Sequence, residues 1–174
     1  MDLRDFEGGN RAAARAELDL DDRVWVAYAG NPDAYQDLDV LIEAVSRDDE
    51  LGLLMISASD WGGLESQASG IPAARKRFLR AETWEKTRFL LSAADIAALP
   101  RSVCTGYPIK LLNYLGLGLP VVCAAGSAQP SQGTVTVPNR DAAALRAALK
   151  RLAADQEKRH RLGREGKTWV GEYC

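Results

Sequence analysis

Four short apolar runs, each closed by glycine, proline or a polar turn and each followed closely by a helical pattern, predict buried parallel strands over 24–29, 51–56, 96–99 and 120–124. Two weaker candidates are Arg77-Phe78-Leu79 and Thr134-Val135-Thr136-Val137, the second alternating as a half-exposed edge strand does. Between them, apolar residues recur at i, i+3, i+4 and i+7: Leu38, Leu41, Ile42 and Val45 in one helix, Leu145, Ala148, Leu149 and Leu152 in another. A further helix is predicted from Tyr107-Pro108, where proline's missing N–H would have had no partner, and it buries Leu111, Leu112 and Leu115. The Asn139-Arg140-Asp141 run caps the helix that follows it. From Gln156 a terminal helix gathers Leu162, Trp169, Val170 and Tyr173 on one side, which leaves an apolar side in want of a partner. Gly163 and Gly166 weaken it by about 1 kcal/mol each against alanine.

Strands alternating with helices predict an α/β fold: a doubly wound, mostly parallel sheet of about six strands with helices on both faces. Such folds bind ligands in the crevice at the carboxyl ends of the strands, at a topological switch point. The loops to inspect are therefore 30–37, 57–63, 100–107 and 125–132.

Composition acts mainly by exclusion. The 174 residues suit one domain with a generous core. Lys plus Arg is 22 and Asp plus Glu is 24, a net charge of −2, so no cationic excess exists to hold a nucleic acid. Hydrophobic residues at 47% and charged residues at 26% exclude a disordered chain. No apolar run is long enough for an integral membrane segment, and Met1-Asp2-Leu3-Arg4-Asp5 lacks the layout of a signal peptide, so a cytoplasmic protein is expected. Cys104, Cys123 and Cys174 form no C-x-x-C pair and leave an odd thiol, which fits a reducing compartment. The single histidine, His160, lies in an Arg/Lys-rich helix, which speaks against a zinc site.

The loop Arg101-Ser102-Val103-Cys104-Thr105-Gly106-Tyr107-Pro108 joins a strand to a helix start, where unpaired N–H groups and the helix dipole favour an anion such as diphosphate. Lys110 in the first turn and Arg101 at the strand exit could add cations. The same spacing also describes an ordinary connection with solvated charges. There is no P-loop, no G-x-G-x-x-G fingerprint and no G-x-S-x-G elbow, and His160 is misplaced as the base of a nucleophile. Asp19-x-Asp21 and Asp37-x-Asp39 resemble metal-binding pairs, but one precedes a strand and the other opens a helix, so both read as capping and solvated charges. Trp61-Gly62-Gly63 either lines a ligand crevice or covers the sheet end. Gly126 and Ser127 either touch phosphate or sugar or form a tight turn.

Several stretches, taken in order, resemble a known family. Val26-Ala27-Tyr28-Ala29-Gly30-Asn31, followed by Tyr35-Gln36-Asp37-Leu38-Asp39-Val40-Leu41-Ile42-Glu43-Ala44, is similar to the opening of the C-terminal domain of GT-B glycosyltransferases of family 4, the glycosyl transferases group 1. Ala93-Ala94-Asp95-Ile96-Ala97-Ala98-Leu99-Pro100, then Gly106-Tyr107-Pro108-Ile109-Lys110-Leu111-Leu112-Asn113-Tyr114, then Gly118-Leu119-Pro120-Val121-Val122, resembles that family's donor-site core. The likeness runs from about Asp2 to Cys174. It implies a linker-derived segment over 1–22 and a Rossmann-like nucleotide-sugar-binding domain over 23–174, half of a GT-B fold. The partner it implies is an N-terminal acceptor domain, in cis or in trans.

What the resemblance implies chemically is a retaining, metal-independent hexosyltransferase without a cofactor, whose substrate is a nucleotide-diphosphate-sugar donor. Front-face transfer would proceed by electrostatic stabilisation of the departing diphosphate, and the isolated half would be inactive. The family's paired glutamates fall on Thr105 and Asn113, and its phosphate-binding Arg and Lys on Asn31 and Gln36, so four charges are missing. Asn113 keeps one amide acceptor for a ribose hydroxyl, a weaker bond than a carboxylate's. The implied donor site comprises Asn31, Gln36, Arg80, Arg101, Thr105, Gly106, Tyr107, Pro108, Lys110, Asn113, Gly126 and Ser127, with base selectivity around residues 80–84. Two readings of the substitutions stand side by side: a rearranged, active subgroup, or a noncatalytic nucleotide-binding or partner-docking module that keeps the fold.

Overall fold

The computed structural model describes Phe6 and residues 10–104, 109–127 and 131–173. Six strands form one all-parallel sheet: β1 Val24–Ala29, β2 Leu51–Ser57, β3 Lys76–Arg80, β4 Ile96–Leu99, β5 Val121–Ala124 and β6 Thr134–Val137. Their order is β3-β2-β1-β4-β5-β6. The helices are α1 Arg11–Glu17, α2 Leu38–Ser46, α3 Leu64–Gln67, α4 Trp84–Leu91, α5 Ile109–Gly116, α6 Ala142–Ala154 and α7 Gln156–Tyr173. Both weak strand candidates are strands, and they are the two edges, which is why their apolar signal is diluted: β3 and most of β6 are only half-buried.

Period-two alternation in the strands divides the core into two layers. Val26, Tyr28, Leu53, Met55, Ile96, Ala98 and Val122 face α2 and α6. Trp25, Ala27, Leu54, Ile56, Ala97, Leu99, Val121 and Cys123 face α1, α4 and α5. Because both faces are covered, the central strands read as unbroken apolar runs, and β2 is buried at every residue.

The segment expected to be a linker contains a helix integral to the domain. Ala14 of α1 is fully buried, Arg11 and Arg15 bond the carbonyls of Ala94 and Ala93, and both pair with Asp95. Asp95 in turn accepts from the Trp25 N–H at 2.8 Å, so α1 clamps the amino ends of β1 and β4.

Among the described residues, the apolar side of the terminal helix is partnered, and the Tyr173 side chain expected on it lies outside them. Leu162 and Val170 are buried within the domain and Trp169 packs against its core. Its two glycines, expected as weak points, are points of close approach: an idealised Cβ on Gly163 would lie 2.1 Å from the Gly118 carbonyl oxygen, and one on Gly166 would lie 2.6 Å from Leu115 Cδ2. Among the described residues, no helix is long and apolar enough to cross a membrane.

Candidate functional site

The order β3-β2-β1-β4-β5-β6 reverses direction between β1 and β4, so the chain leaving β1 and the chain leaving β4 part there and open a crevice. The register shows the parting: only Val26↔Ile96 and Ala27↔Ala97 pair, and Ala29 has no strand neighbour on that side. The Tyr114 hydroxyl from α5 replaces it. It accepts from the Ala29 N–H at 2.8 Å and donates to the Ala29 carbonyl at 3.1 Å. Burial raises the Tyr114 phenol above its ordinary pKa, which keeps the proton this double role requires.

Above this point lies a cleft of about 290 Å³, lined by Gly30 and Asn31 after β1, Ser57 and Ala58 after β2, residues 81–84 after β3, and Lys110, Asn113 and Tyr114 of α5. Helical spacing puts Lys110, Asn113 and Tyr114 on one face, three and four residues apart. The Lys110 ammonium lies 5.6 Å from the centroid of the Tyr28 ring, a cation–π arrangement. Tyr28 donates its hydroxyl to the Asn31 carbonyl at 2.8 Å, which ties the ring to the loop after β1. Gly30 makes room for the lysine: a Cβ there would lie 2.1 Å from Lys110 Cε. Burial, and then Arg101, hold the lysine below the usual ammonium pKa. A half-buried cation held below its ordinary pKa gains from a nearby anion, which favours its charged form.

The structure treats the expected site residues unequally. Asn31, Lys110 and Asn113 line the cleft. Gln36 does not, but it is almost fully buried with neither amide atom hydrogen-bonded. Arg101 donates from Nη2 to the Cys104 sulfur at 2.7 Å and is close enough to Lys110 to depress its pKa. Arg80 is exposed and pairs with Glu82, and of the two it is Glu82 that lines the cleft. Thr105, Gly106, Tyr107 and Pro108 lie outside the described residues, as does the helix start expected there.

Gly126 and Ser127 form a turn after β5. The Gly126 N–H donates to Asn139 Oδ1 at 2.8 Å, its missing Cβ leaves room for the Ser102 carbonyl, and Ser127 is fully buried. Trp61 is buried edge-to-face on Phe78 at 5.5 Å, so it covers the sheet rather than a ligand.

Asp37 departs furthest from expectation. Neither a side-chain cap nor solvated, it is buried with φ 52°, and Oδ2 accepts from the Ser102 N–H and hydroxyl at 2.7 and 2.6 Å. Oδ1 accepts from Arg140, which also pairs with Asp39. A D-x-D pattern at a helix start carries no signal for partners 65 and 103 residues away.

A larger hollow of about 620 Å³ lies at the opposite, amino ends of the strands and includes His160. Two of its cations are already bonded within the protein: Arg11 to Ala94 and Asp95 of the same hollow, Arg159 to the Leu152 and Ala153 carbonyls. Among the described residues, no group of three or more His, Cys, Asp or Glu is placed to hold a metal ion. Among the described residues, the large exposed apolar side chains, Tyr35, Val103 and Ile109, sit on the loops after β1 and β4 and at the start of α5.

Comparison with known proteins bears on the family and the fold. Residues 23–155 match the family described as Glycosyl transferases group 1. A D-inositol 3-phosphate glycosyltransferase of Mycobacteroides abscessus is 32% identical over 140 residues, covering 75% of this chain and 31% of that protein. The chain thus spans about a third of the relative's length. Among solved structures, the C-terminal domain of a glycosyl transferase group 1 family protein from Francisella tularensis superposes with a TM-score of 0.80 at 14% identity, covering 99% of this chain and 97% of that one. Anabaena HepE, solved in complex with UDP-glucose, gives a TM-score of 0.87 at 13% identity, covering 99% of this chain and 51% of that one.

Proposed function

The chain belongs to the glycosyl transferases group 1, and from that premise we propose that it is the donor-binding half of a retaining, metal-independent glycosyltransferase that takes its sugar from a nucleotide-diphosphate-sugar. The observation that carries the reading is α5, which delivers Lys110 and Asn113 together into the crevice at the β1/β4 switch point.

In this reading Lys110 binds the diphosphate and stabilises the charge that grows as the glycosidic bond to it breaks. Asn113, from the same helix face, accepts a ribose hydroxyl through its amide oxygen. The Gly30-Asn31 backbone approaches the phosphates closely, and residues 81–84 flank the base. Tyr28 and Tyr114 hold the walls through the Asn31 carbonyl and the Ala29 peptide. At about 290 Å³ the cleft is at the small end for a ligand site, as suits one wall of a cleft that a second domain completes. A UDP-sugar in HepE and a glycosyltransferase name for the Mycobacteroides abscessus relative support the donor class.

Calorimetric titration with UDP, GDP and ADP in parallel tests the reading. One diphosphate should bind saturably, and Lys110→Ala and Asn113→Ala should each weaken it by about tenfold, the worth of one charge-assisted or well-placed bond. Binding of none would leave the chain a fold without a donor site.

A further inference from the structure

Four loops at the carboxyl ends of β1, β4, β5 and β6 are laced together by three side chains that touch nothing in the cleft. Asp37 is the centre, with its side chain 9% exposed. One carboxylate oxygen takes both the N–H and the hydroxyl of Ser102, and the other takes Arg140. Arg140 is itself held by Asp39 at 2.9 Å. The neighbouring Asn139 donates to the Ser102 carbonyl at 3.4 Å and accepts from the Gly126 N–H at 2.8 Å.

Two features set this network apart from ordinary loop bonding. Asp37 and Arg140 both hold left-handed backbone, φ 52° and 54°, a conformation costly for non-glycine residues that persists only where surrounding contacts impose it. Two such residues joined to each other make a rigid corner rather than a flexible hinge. Immediately before Asp37 stands Gln36, buried to 1% exposure with both amide atoms unpartnered. A buried amide without partners is costly unless something else completes it. The corner therefore fixes a polar group that the protein leaves unsatisfied, and it joins that group's loop to the loop carrying Arg101.

We propose that Asp37 is a positioning residue: its carboxylate, neutralised by Arg140, clasps the loop after β4 onto the loop after β1, and donor affinity depends on it without its touching the donor. The proposal rests on the donor-site reading above. Neutralisation matters because a buried, unpaired carboxylate beside a diphosphate would repel it. Asp37→Asn breaks the ion pair and forces an amide N–H against one of its present donors. Arg140→Ala leaves the carboxylate charged and uncompensated, and Ser102→Ala removes one bond while sparing the pair.

Two readouts separate the clasp from general stability. The first is affinity for whichever of UDP, GDP or ADP the wild type binds: about tenfold weaker in Asp37→Asn and Arg140→Ala, a few-fold weaker in Ser102→Ala, and no worse in the Asp37→Asn/Arg140→Ala double variant than in the singles. The second needs no ligand. Cys104, two residues after Ser102, should be alkylated by iodoacetamide several-fold faster in the clasp variants, resolved by peptide mass spectrometry, while buried Cys123 stays protected. Equal acceleration at both cysteines means general loosening and overturns the proposal, as do unchanged Cys104 rates or unchanged affinity. A wild type that binds no diphosphate would sink the donor-site reading, and the Cys104 rates would still decide whether the clasp holds the loop.

Discussion

Gly163→Ala reverses the sign that helix propensity assigns it. In a helix interior, alanine is favoured over glycine by about 1 kcal/mol, which for a domain of this size is a gain of about 2–4 °C in Tm. The structure demands the opposite. An idealised Cβ on Gly163 would stand 2.1 Å from the carbonyl oxygen of Gly118 and 3.1 Å from its carbonyl carbon. An ordinary carbon–oxygen contact is about 3.3 Å or more, so α7 must retreat by about 1 Å from the turn after α5. The obstacle is backbone, which no rotamer change removes. On the far side of the same seam, Gly133 and Gly166 are so close that a Cβ on Gly133 would lie 2.7 Å from Gly166 Cα. Overpacking of this kind costs about 1–3 kcal/mol, and with two elements wedged apart the upper part of that range applies. Subtracting the propensity gain leaves a net loss of about 1–2 kcal/mol, or about 2–8 °C. Thermal melts of Gly163→Ala beside Gly70→Ala, whose Cβ would meet nothing within 4 Å, provide the assay. A rise in Tm for Gly163→Ala would refute the close approach and return the helix to simple propensity.

The remaining expectations concern the crevice and the core. Lys110→Met should raise stability near neutral pH while weakening diphosphate binding by about tenfold, as Lys110→Ala should. The native pKa lies below the unfolded one, so between the two the unfolded chain holds the extra proton and native stability rises with pH. The melting difference between variant and wild type should therefore shrink as pH rises towards the ordinary lysine pKa, with wild-type affinity falling over the same rise, and a constant difference would contradict the buried ammonium. Tyr114→Phe leaves the Ala29 N–H and carbonyl without their partner and should lower the unfolding free energy by about 1–3 kcal/mol, with faster Ala29 amide exchange as its local signature. Arg75→Met keeps the volume but removes the buried guanidinium's bonds to the Val45, Asp48 and Leu51 carbonyls, of which the first two keep a backbone donor, and should cost about 1–3 kcal/mol by urea denaturation. Asp49→Ala, by contrast, removes a carboxylate that is 98% exposed and should cost less than about 1 kcal/mol despite its ion pair with the same arginine.

Much of the architecture was legible in the chain itself, because burial on both faces of a parallel sheet writes itself as apolar runs. β1, β4 and β6 begin and end where the pattern places them, and β2, β3 and β5 differ by a residue or two at their ends. The Asp141 cap is present, its carboxylate accepting from the Ala144 N–H at 2.8 Å. The order of the strands was not legible in this way, since periodicity reports that a face is buried and not what it meets. In the candidate site, the resemblance pointed to Asn31, Lys110 and Asn113 in the cleft, through short-range motifs on single elements. It gave no sign of Tyr114 closing the end of β1, 85 residues away, or of Trp61 serving the core.

What the sequence determined by itself is what local rules encode: which segments are strands or helices, where the caps fall, and that no cationic excess invites a nucleic acid. Tertiary structure alone decided the meaning of residues whose partners are far along the chain. Asp37 looks like a helix-opening acid until Ser102 and Arg140 converge on it, and Gly163 looks like a defect until the Gly118 carbonyl occupies the space of its missing side chain. The physical reason is common to both. A side chain's chemistry is set by the dielectric, charge and volume around it, and in a folded chain those are supplied by residues that no window along the sequence contains.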